Sequence, residues 1–180
     1  MDTGRTNLST TITSNNIDKL LWNITYINNA VLGTPLKKDI RIKVLNNNEV
    51  LKALYQEAFP EEYLVNQLIY YLNQSDQLFV EYVESVVLNS NNANSIKLKW
   101  QEANSKIAFY LNKINAYWKY SEWNGMLSQN IDLLDILTTT LKKNNYSGFT
   151  NTIPICRRLS FDMADYVTAG IIDYIDRQQG

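Results

Sequence analysis

The sequence predicts an all-α fold, and three observations support this class. The 180-residue chain has only six Gly and three Pro, which is few for a fold with many tight turns between strands. Apolar residues recur every three and four positions rather than every two, which is the period of a helix face. Stretches rich in Asn separate the periodic segments. We therefore expect an up-and-down bundle of four long helices plus one short helical element.

The first helix is predicted over residues 17–32. Residues 14–16 can cap its start, and Gly33-Thr34-Pro35 stops it. Its apolar stripe consists of Ile17, Leu20, Leu21, Ile24, Ile27 and Val31. The preceding residues are mostly Thr, Ser and Asn and contain no apolar stretch. This pattern predicts a flexible N-terminal segment over residues 1–16 and a single helical-bundle domain over residues 17–178.

The second part of the chain begins with a short mixed stretch over residues 37–45. Three Asn residues at 46–48 then indicate a turn and a cap, which open a small helix over residues 49–58. The next start signal is Phe59-Pro60-Glu61-Glu62, where Pro and two carboxylates suit the first turn of a helix. We expect the helix that follows to end near Leu88.

Three further helices are predicted in the second half. One covers residues 95–118, and the next carries a stripe from Trp123 to Leu141 and closes at Asn144-Asn145. The last helix ends near Arg177 and begins at either residue 146 or residue 152. Pro154 decides between these starts, because it either lies in the first turn or kinks a longer helix.

The composition excludes several classes of function. Without His there is no Ser-His-Asp triad, no His-ligated zinc and no ordinary His ligand for haem. A net charge of −1 argues against sequence-independent binding of nucleic acid. No apolar run approaches the roughly 18 residues of a membrane span, and a lone Cys156 cannot form an internal disulfide. We expect a soluble, cytoplasmic protein that binds neither nucleic acid nor membrane, has no cofactor and is not an enzyme.

Two apolar stripes are interrupted by polar residues at mid-helix. Asp76 stands between Leu72 and Phe79, and Asn130 stands between Leu127 and Leu133. A buried polar group without a partner costs about 1 to 3 kcal/mol, so these residues need partners, such as each other, Thr25 or Asn28. The pattern suits a small polar ligand site at the centre of the bundle. It equally suits a hydrogen-bond network that fixes helix register, or a stripe edge that reaches solvent.

Carboxylates and tryptophans offer two further hypotheses. Acidic residues recur three apart, as in Asp132 and Asp135, which is the geometry of carboxylate-bridged metal bundles. An all-oxygen site would suit Mg²⁺, Mn²⁺ or Ca²⁺, with Asp76 as the candidate ligand, although such pairs are also common on solvated faces. Trp22, Trp100 and Trp118 could line a pocket for an apolar ligand, or could be ordinary core residues.

Three stretches resemble an uncharacterised family of bacterial helical-bundle proteins. Residues 107–118, Ile-Ala-Phe-Tyr-Leu-Asn-Lys-Ile-Asn-Ala-Tyr-Trp, are similar to the family's Ile-Ala-x-Phe/Tyr-Leu-x-x-Ile-Asn-Pro-Tyr-Trp, with Ala116 in place of Pro. Trp123-Asn124-Gly125-Met126-Leu127 resembles its Trp-x-x-Met-Leu helix start. Residues 163–171 are similar to its Met-Ala-Asp-x-Met-x-x-Gly-Ile ending, and Leu21-Trp22 opens the first helix as in the family.

The resemblance implies a ferritin-like bundle whose relatives carry three inward histidines. Those positions correspond to Thr25, Asp76 and Asn130 in this sequence. The resemblance therefore implies that the family's polar cluster has lost its imidazoles here, and with them a transition-metal site.

Two functions follow from these patterns. The first is a non-catalytic bundle that acts through contacts with a protein partner or through self-association as a homo-oligomer. The alternative is a divergent ferritin-like bundle that binds a hard cation or a small ligand at a central polar cluster. The candidate ligand-binding residues are Thr25, Asp76, Asn130, Trp22 and Trp100.

Overall fold

The computed structural model describes residues 3–179, and these form seven α-helices with short connections. The helices are α1 (Thr3–Leu32), α2 (Lys37–Leu45), α3 (Glu49–Ala58), α4 (Glu62–Val87), α5 (Ala93–Ile114), α6 (Tyr120–Lys142) and α7 (Tyr146–Gln179). The all-α class is thus confirmed for these residues. The count of four long helices plus one short element is not, because five of the helices have 22 residues or more and two are short.

Three helix ends follow the stop signals in the sequence. Gly33, Asn89 and Asn144 adopt left-handed backbone conformations, with φ of 66°, 54° and 59°. In each case the next residue donates its N–H to a carbonyl five residues earlier, as in Ser90 N to Ser85 O at 2.9 Å. This bonding satisfies carbonyls that the helix end leaves without partners. Gly and Asn tolerate this conformation best, which is why they mark the ends of α1, α4 and α6.

The N-terminal segment differs from the prediction. Residues 1–2 lie outside the described residues, but from Thr3 onward the chain is helical and continuous with the predicted first helix. Ile12 is fully buried, and Arg5 forms an ion pair with Asp176 near the end of α7. The predicted start of the first helix at residue 17 is therefore wrong, since α1 begins at Thr3. The buried Ile12 and the packing of α1 on α7 give this polar segment tertiary contacts.

Two predicted boundaries are resolved by local contacts. α5 ends at Ile114 instead of continuing to Trp118, because Asn115 takes an extended conformation with φ −144° and ψ 119°. Its side chain donates to Gly170 O at 2.7 Å and accepts from Tyr117 N at 3.1 Å. α7 begins at Tyr146 and continues through Pro154, so the longer of the two alternatives is the one observed.

The direction of the long helices follows from their cross-helix contacts. α4, α5, α6 and α7 are joined by short connections, and each packs against the next. α1 packs on α7 and runs in the same direction as α4, since Lys19 contacts Asp76 and Tyr26 contacts Glu84. The short helices α2 and α3 return the chain from the end of α1 to the start of α4. No helix within residues 3–179 combines the length and apolar character that crossing a membrane requires.

The buried apolar side chains form two clusters that follow one another along the bundle. The first contains Tyr26, Phe79 and Trp100, among others. The second includes Ile12 and Trp118. On each long helix the sequence passes from one cluster to the other within about one to two turns. Several polar residues lie at that boundary, and they form the candidate site.

Candidate functional site

A polar layer crosses the bundle between the two apolar clusters. It receives side chains from all five long helices and from the turn before α3. The residues of the polar layer are Asn16, Lys19, Asn48, Ser75, Asp76, Asn104, Asn130 and Ser160. Because every long helix contributes at least one residue, the layer is a property of the whole bundle and not of one local motif.

The charged centre of the polar layer is a buried ion pair. Lys19 Nζ lies 2.7 Å from Asp76 Oδ1, and the Asp76 side chain is only 5% exposed. Asn48 Nδ2 donates to Asp76 Oδ2 at 2.7 Å, and Lys19 Nζ donates to Asn48 Oδ1 at 3.1 Å. Burial raises the pKa of the Asp76 carboxyl above its ordinary value, although Lys19 and Asn48 act in the opposite direction. The carboxylate therefore has a cationic partner from the protein itself.

A second, uncharged set of hydrogen bonds lies beside the ion pair. Trp100 Nε1 donates to Ser75 Oγ at 2.9 Å, and Ser75 Oγ donates to Asn104 Oδ1 at 2.7 Å. Asn104 Nδ2 then donates to Leu127 O at 3.3 Å. This chain connects α5, α4 and α6 through groups that are each satisfied, and it fixes the register of the three helices.

An internal cavity of about 90 Å³ runs through the polar layer. An engineered apolar cavity of about 150 Å³ holds benzene, and a water molecule occupies about 30 Å³ of liquid. The cavity walls contain apolar side chains from both clusters, such as Leu68, Phe79 and Val167, and the polar layer contributes Lys19 and Asp76. The space therefore suits a few waters or a small organic molecule.

Two residues that line the cavity each carry a fully buried polar atom with no hydrogen-bond partner among the described residues. These atoms are Asn23 Oδ1, an acceptor, and Trp123 Nε1, a donor, on side chains of residues that are 5% and 3% exposed. Burial raises the pKa of Tyr55, which lines the same cavity. Each unpaired buried group costs about 1 to 3 kcal/mol.

The structure brings together three of the five candidate residues. Asp76, Asn130 and Trp100 line the cavity. Thr25 does not, because its hydroxyl donates to Leu21 O of its own helix at 2.6 Å. Trp22 is half-buried and packs against the outside of the first apolar cluster.

Sequence reasoning missed Lys19, Asn23, Asn48, Asn104 and Trp123. The inward position of Asn104 could have been predicted, because it lies four residues after Trp100 on the apolar stripe of α5. Trp123 was assigned to an apolar stripe, but the pattern does not reveal that its indole N–H lacks a partner. No sequence pattern indicated that Lys19 and Asn48 point inward, because a lysine beside an apolar stripe and an asparagine in a turn are usually surface residues. Their inward positions depend on how α1 and α3 pack on α4.

Within residues 3–179, no group of three or more Cys, Asp or Glu side chains is arranged to hold a metal ion. Asp76, the candidate ligand, is bonded to an ammonium and an amide, and the amides and hydroxyls around it are weak cation ligands without further carboxylates. The donor set favours an uncharged ligand over a cation.

The chain was compared with protein-family models, with curated proteins and with solved structures, and none of the three comparisons found a significant match.

Proposed function

We propose that this protein is a non-catalytic binding protein for a small uncharged organic molecule, which it holds in the cavity that crosses the polar layer. The observation that carries this proposal is the cavity itself, which has a volume of about 90 Å³ and a wall of apolar side chains around an ion pair whose two charges neutralise each other. The apolar residues of the wall would contribute about 25 cal/mol for each Å² of apolar surface that the ligand buries.

The polar layer supports an uncharged ligand. Lys19 and Asp76 are the charged residues among those that line the cavity, and they form an ion pair with each other. An additional charge in this space would need its own partner, and burying an unpaired charge costs far more than burying a neutral polar group. The proposed ligand is therefore a neutral molecule and not the hard cation of the sequence-based alternative.

A cavity-filling substitution tests the proposal. Ser160→Leu adds an apolar side chain at the cavity wall, whereas Ser147→Leu adds the same group at an exposed position on the same helix. A library of small neutral molecules is screened by thermal shift and by ligand-observed NMR. We expect ligands that stabilise the native protein and the Ser147→Leu variant but not the Ser160→Leu variant, since a ligand at about 100 times its Kd adds about 2.7 kcal/mol.

Two results would overturn this function. One is a screen in which no molecule binds, which would leave the cavity to water. The other is equal binding to both leucine variants, which would place the ligand elsewhere. Thermal shifts with Mg²⁺, Mn²⁺, Ca²⁺ and Fe²⁺ complete the test. If one of these ions stabilises the native protein but not the Asp76→Asn variant, the ligand is a cation and not a neutral molecule.

Self-association is a second candidate function, and an aromatic ladder on the outer face of α4 and α5 favours it. The ladder consists of Tyr70, Tyr71, Tyr110 and Phe109, with successive ring centroids 5.0, 5.6 and 5.2 Å apart. Tyr70 is 56% exposed and Phe109 is 43% exposed. Aromatic residues are enriched in protein interfaces, and exposed rings in a continuous row are unusual on a solvated helix face.

The proposed occupant of the aromatic ladder is a second copy of the chain. The exposed Lys113 on α5 lies over the Phe109 ring, with its Nζ 5.5 Å from the ring centroid. In a two-fold pairing of this face with itself, the same cation can contact an aromatic ring of the second copy. Sedimentation velocity over a range of concentrations tests this. We expect Tyr70→Glu to shift the protein toward monomer and Tyr146→Glu, at a similarly exposed tyrosine on α7, to leave it unchanged. A monomer at every concentration would overturn the candidate.

A further inference from the structure

Three connections between helices lie together at one end of the bundle. They join α1 to α2, α4 to α5 and α6 to α7, and with their flanking turns they form the basic end, residues 31–38, 87–94 and 140–148. Lys142 Nζ at the end of α6 donates to Val86 O and to Asn89 Oδ1 at the end of α4. Lys37 Nζ at the start of α2 lies 3.4 Å from Glu84 Oε1 on α4. These contacts hold the three connections side by side.

The basic end carries an excess of positive charge. It contains no acidic residue and four lysines, Lys37, Lys38, Lys142 and Lys143. The adjoining acidic residues are Asp39, next in the chain, and Glu84, which pairs with Lys37. The other three lysines form no ion pair with a described residue. The connections at the opposite end, residues 59–62 and 115–122, contain three Glu and one Lys, so the connections at the two ends differ in the sign of their charge.

Apolar side chains project from the same end. Exposed fractions are 69% for Leu32, 60% for Leu36, 77% for Leu88 and 61% for Tyr146. Leu88 follows Glu84 by four residues on α4, so it stands about 6 Å beyond the ion pair that Glu84 forms. At the opposite end, Phe59 and Trp118 are buried. Each connection of the basic end therefore presents an exposed apolar side chain beside lysine.

The combination of lysines and exposed leucines indicates what this end contacts. A polyanion such as DNA would leave the leucines in water, and an apolar protein face would leave the lysines without counter-charges. The surface of an anionic bilayer suits both, because its phosphates attract lysine and apolar side chains of a docked protein enter about 5–10 Å into the boundary with the acyl chains. The aliphatic stem of each lysine can lie along the leucines while its ammonium group stays among the headgroups.

We propose that the basic end docks the protein on an anionic lipid bilayer, with Leu32, Leu36 and Leu88 among the acyl chains and the lysines against the lipid phosphates. The sequence-based expectation that the protein binds no membrane rests on the absence of a membrane-spanning run, and docking at the surface requires none. The docking surface is independent of the proposed cavity ligand, because the polar layer lies between the two apolar clusters and not at the end of the bundle.

Sedimentation of the protein with lipid vesicles tests the docking. One set of vesicles contains phosphatidylcholine alone, and in the other set about one-third of the lipid is phosphatidylserine. We expect binding to the anionic vesicles and at least about tenfold weaker binding to the neutral ones, since each lysine near an anionic surface strengthens binding about fivefold. Binding should also weaken as salt is added, because salt screens the attraction.

Substitutions at exposed positions separate the two contributions without disturbing the core. We expect Lys38→Gln and Lys143→Gln each to weaken binding to the anionic vesicles about fivefold, and Leu36→Ser and Leu88→Ser each about tenfold. The matched controls are Lys106→Gln on α5 and Leu21→Ser on α1, which change an exposed lysine and an exposed leucine away from the basic end. Both controls should bind as the native protein does.

A fluorophore that is sensitive to its surroundings reports which end of the bundle meets the lipid. It is attached to Asn91→Cys in the basic end or to Glu61→Cys at the opposite end, both of which are exposed, whereas the native Cys156 is buried. We expect anionic vesicles to shift the emission of the label at position 91 to shorter wavelength and to leave the label at position 61 unchanged.

Four results would overturn the docking surface. They are no binding to anionic vesicles, equal weakening by the control variants, a wavelength shift at position 61 instead of position 91, and binding that the lysine variants weaken but the leucine variants do not. In the last case, binding of a DNA duplex that is equally insensitive to Leu88→Ser would identify the basic end as a surface for polyanions and not for membranes. Each of these results leaves the proposed cavity ligand standing, since none of the variants lies in the cavity wall.

Discussion

Gly170 on α7 gives the sharpest prediction about stability, because it lies against the ring of Trp118. A Cβ added at this glycine would lie 2.8 Å from Trp118 Cδ1 and closer still to Nε1. Trp118 cannot move aside easily, since it is fully buried, packs edge-to-face on Tyr55 and Phe59, and donates to Tyr166 O. Gly170→Ala must therefore displace a large, enclosed side chain.

The expected cost follows from three contributions. Overpacking a well-filled core costs about 1–3 kcal/mol, and loss of the Trp118 hydrogen bond to Tyr166 adds about 1 kcal/mol. The better helix propensity of Ala offsets about 1 kcal/mol of this destabilisation. We expect Gly170→Ala to lower the free energy of unfolding by about 2 kcal/mol, which corresponds to a Tm lower by about 4–8 °C for a chain of this length.

Gly125 on α6 is the matched control. It is also a helical glycine, but a Cβ there meets no atom within 4 Å. Gly125→Ala should therefore raise the free energy of unfolding by about 1 kcal/mol. Urea denaturation followed by far-UV circular dichroism measures both variants, and near-UV circular dichroism reports on the Trp118 ring. Equal stabilisation by both alanines would refute the reasoning, because it would mean that Trp118 does not occupy the space above Gly170.

Three further predictions concern the polar layer, the thiol and the N-terminal helix. Burial raises the folded-state pKa of Asp76 above its ordinary value, so the native protein binds this proton more tightly than the unfolded chain. Its stability therefore falls as pH rises above the ordinary pKa of a carboxyl group. In urea denaturation over a pH series, the free energy of unfolding of the wild type, relative to that of Asp76→Asn, should decrease as pH rises. An increase would mean that the attraction of Lys19 lowers the Asp76 pKa more than burial raises it. Burial raises the pKa of Cys156 to about 11, so Ellman's reagent should react at neutral pH only after unfolding, and rapid reaction with the native protein would contradict its burial. Ile12→Ala should lower the free energy of unfolding by about 2–4 kcal/mol, with the exposed Thr10→Ala nearly neutral; equal effects in chemical denaturation would mean that the start of α1 does not pack.

Local sequence patterns predicted the parts of the fold that depend on local physics. The helix period, the breaks at Gly33, Asn89 and Asn144, and the inward position of Asp76 are consequences of backbone sterics and of which residues share one helix face. These features need no knowledge of neighbouring helices. They were therefore readable from the sequence, including one central residue of the candidate site.

The tertiary structure decided which residues meet. Lys19, Asn48 and Asp76 are separated by 28 to 57 positions, and their contact depends on the rotation and height of three helices relative to one another. The same holds for Ile12, which is buried in the second apolar cluster among residues of other helices, and for Thr25, whose hydroxyl bonds to its own helix. Sequence periodicity specifies the face of a helix, but packing specifies what that face contacts. The polar layer and its cavity are therefore properties of the folded bundle alone.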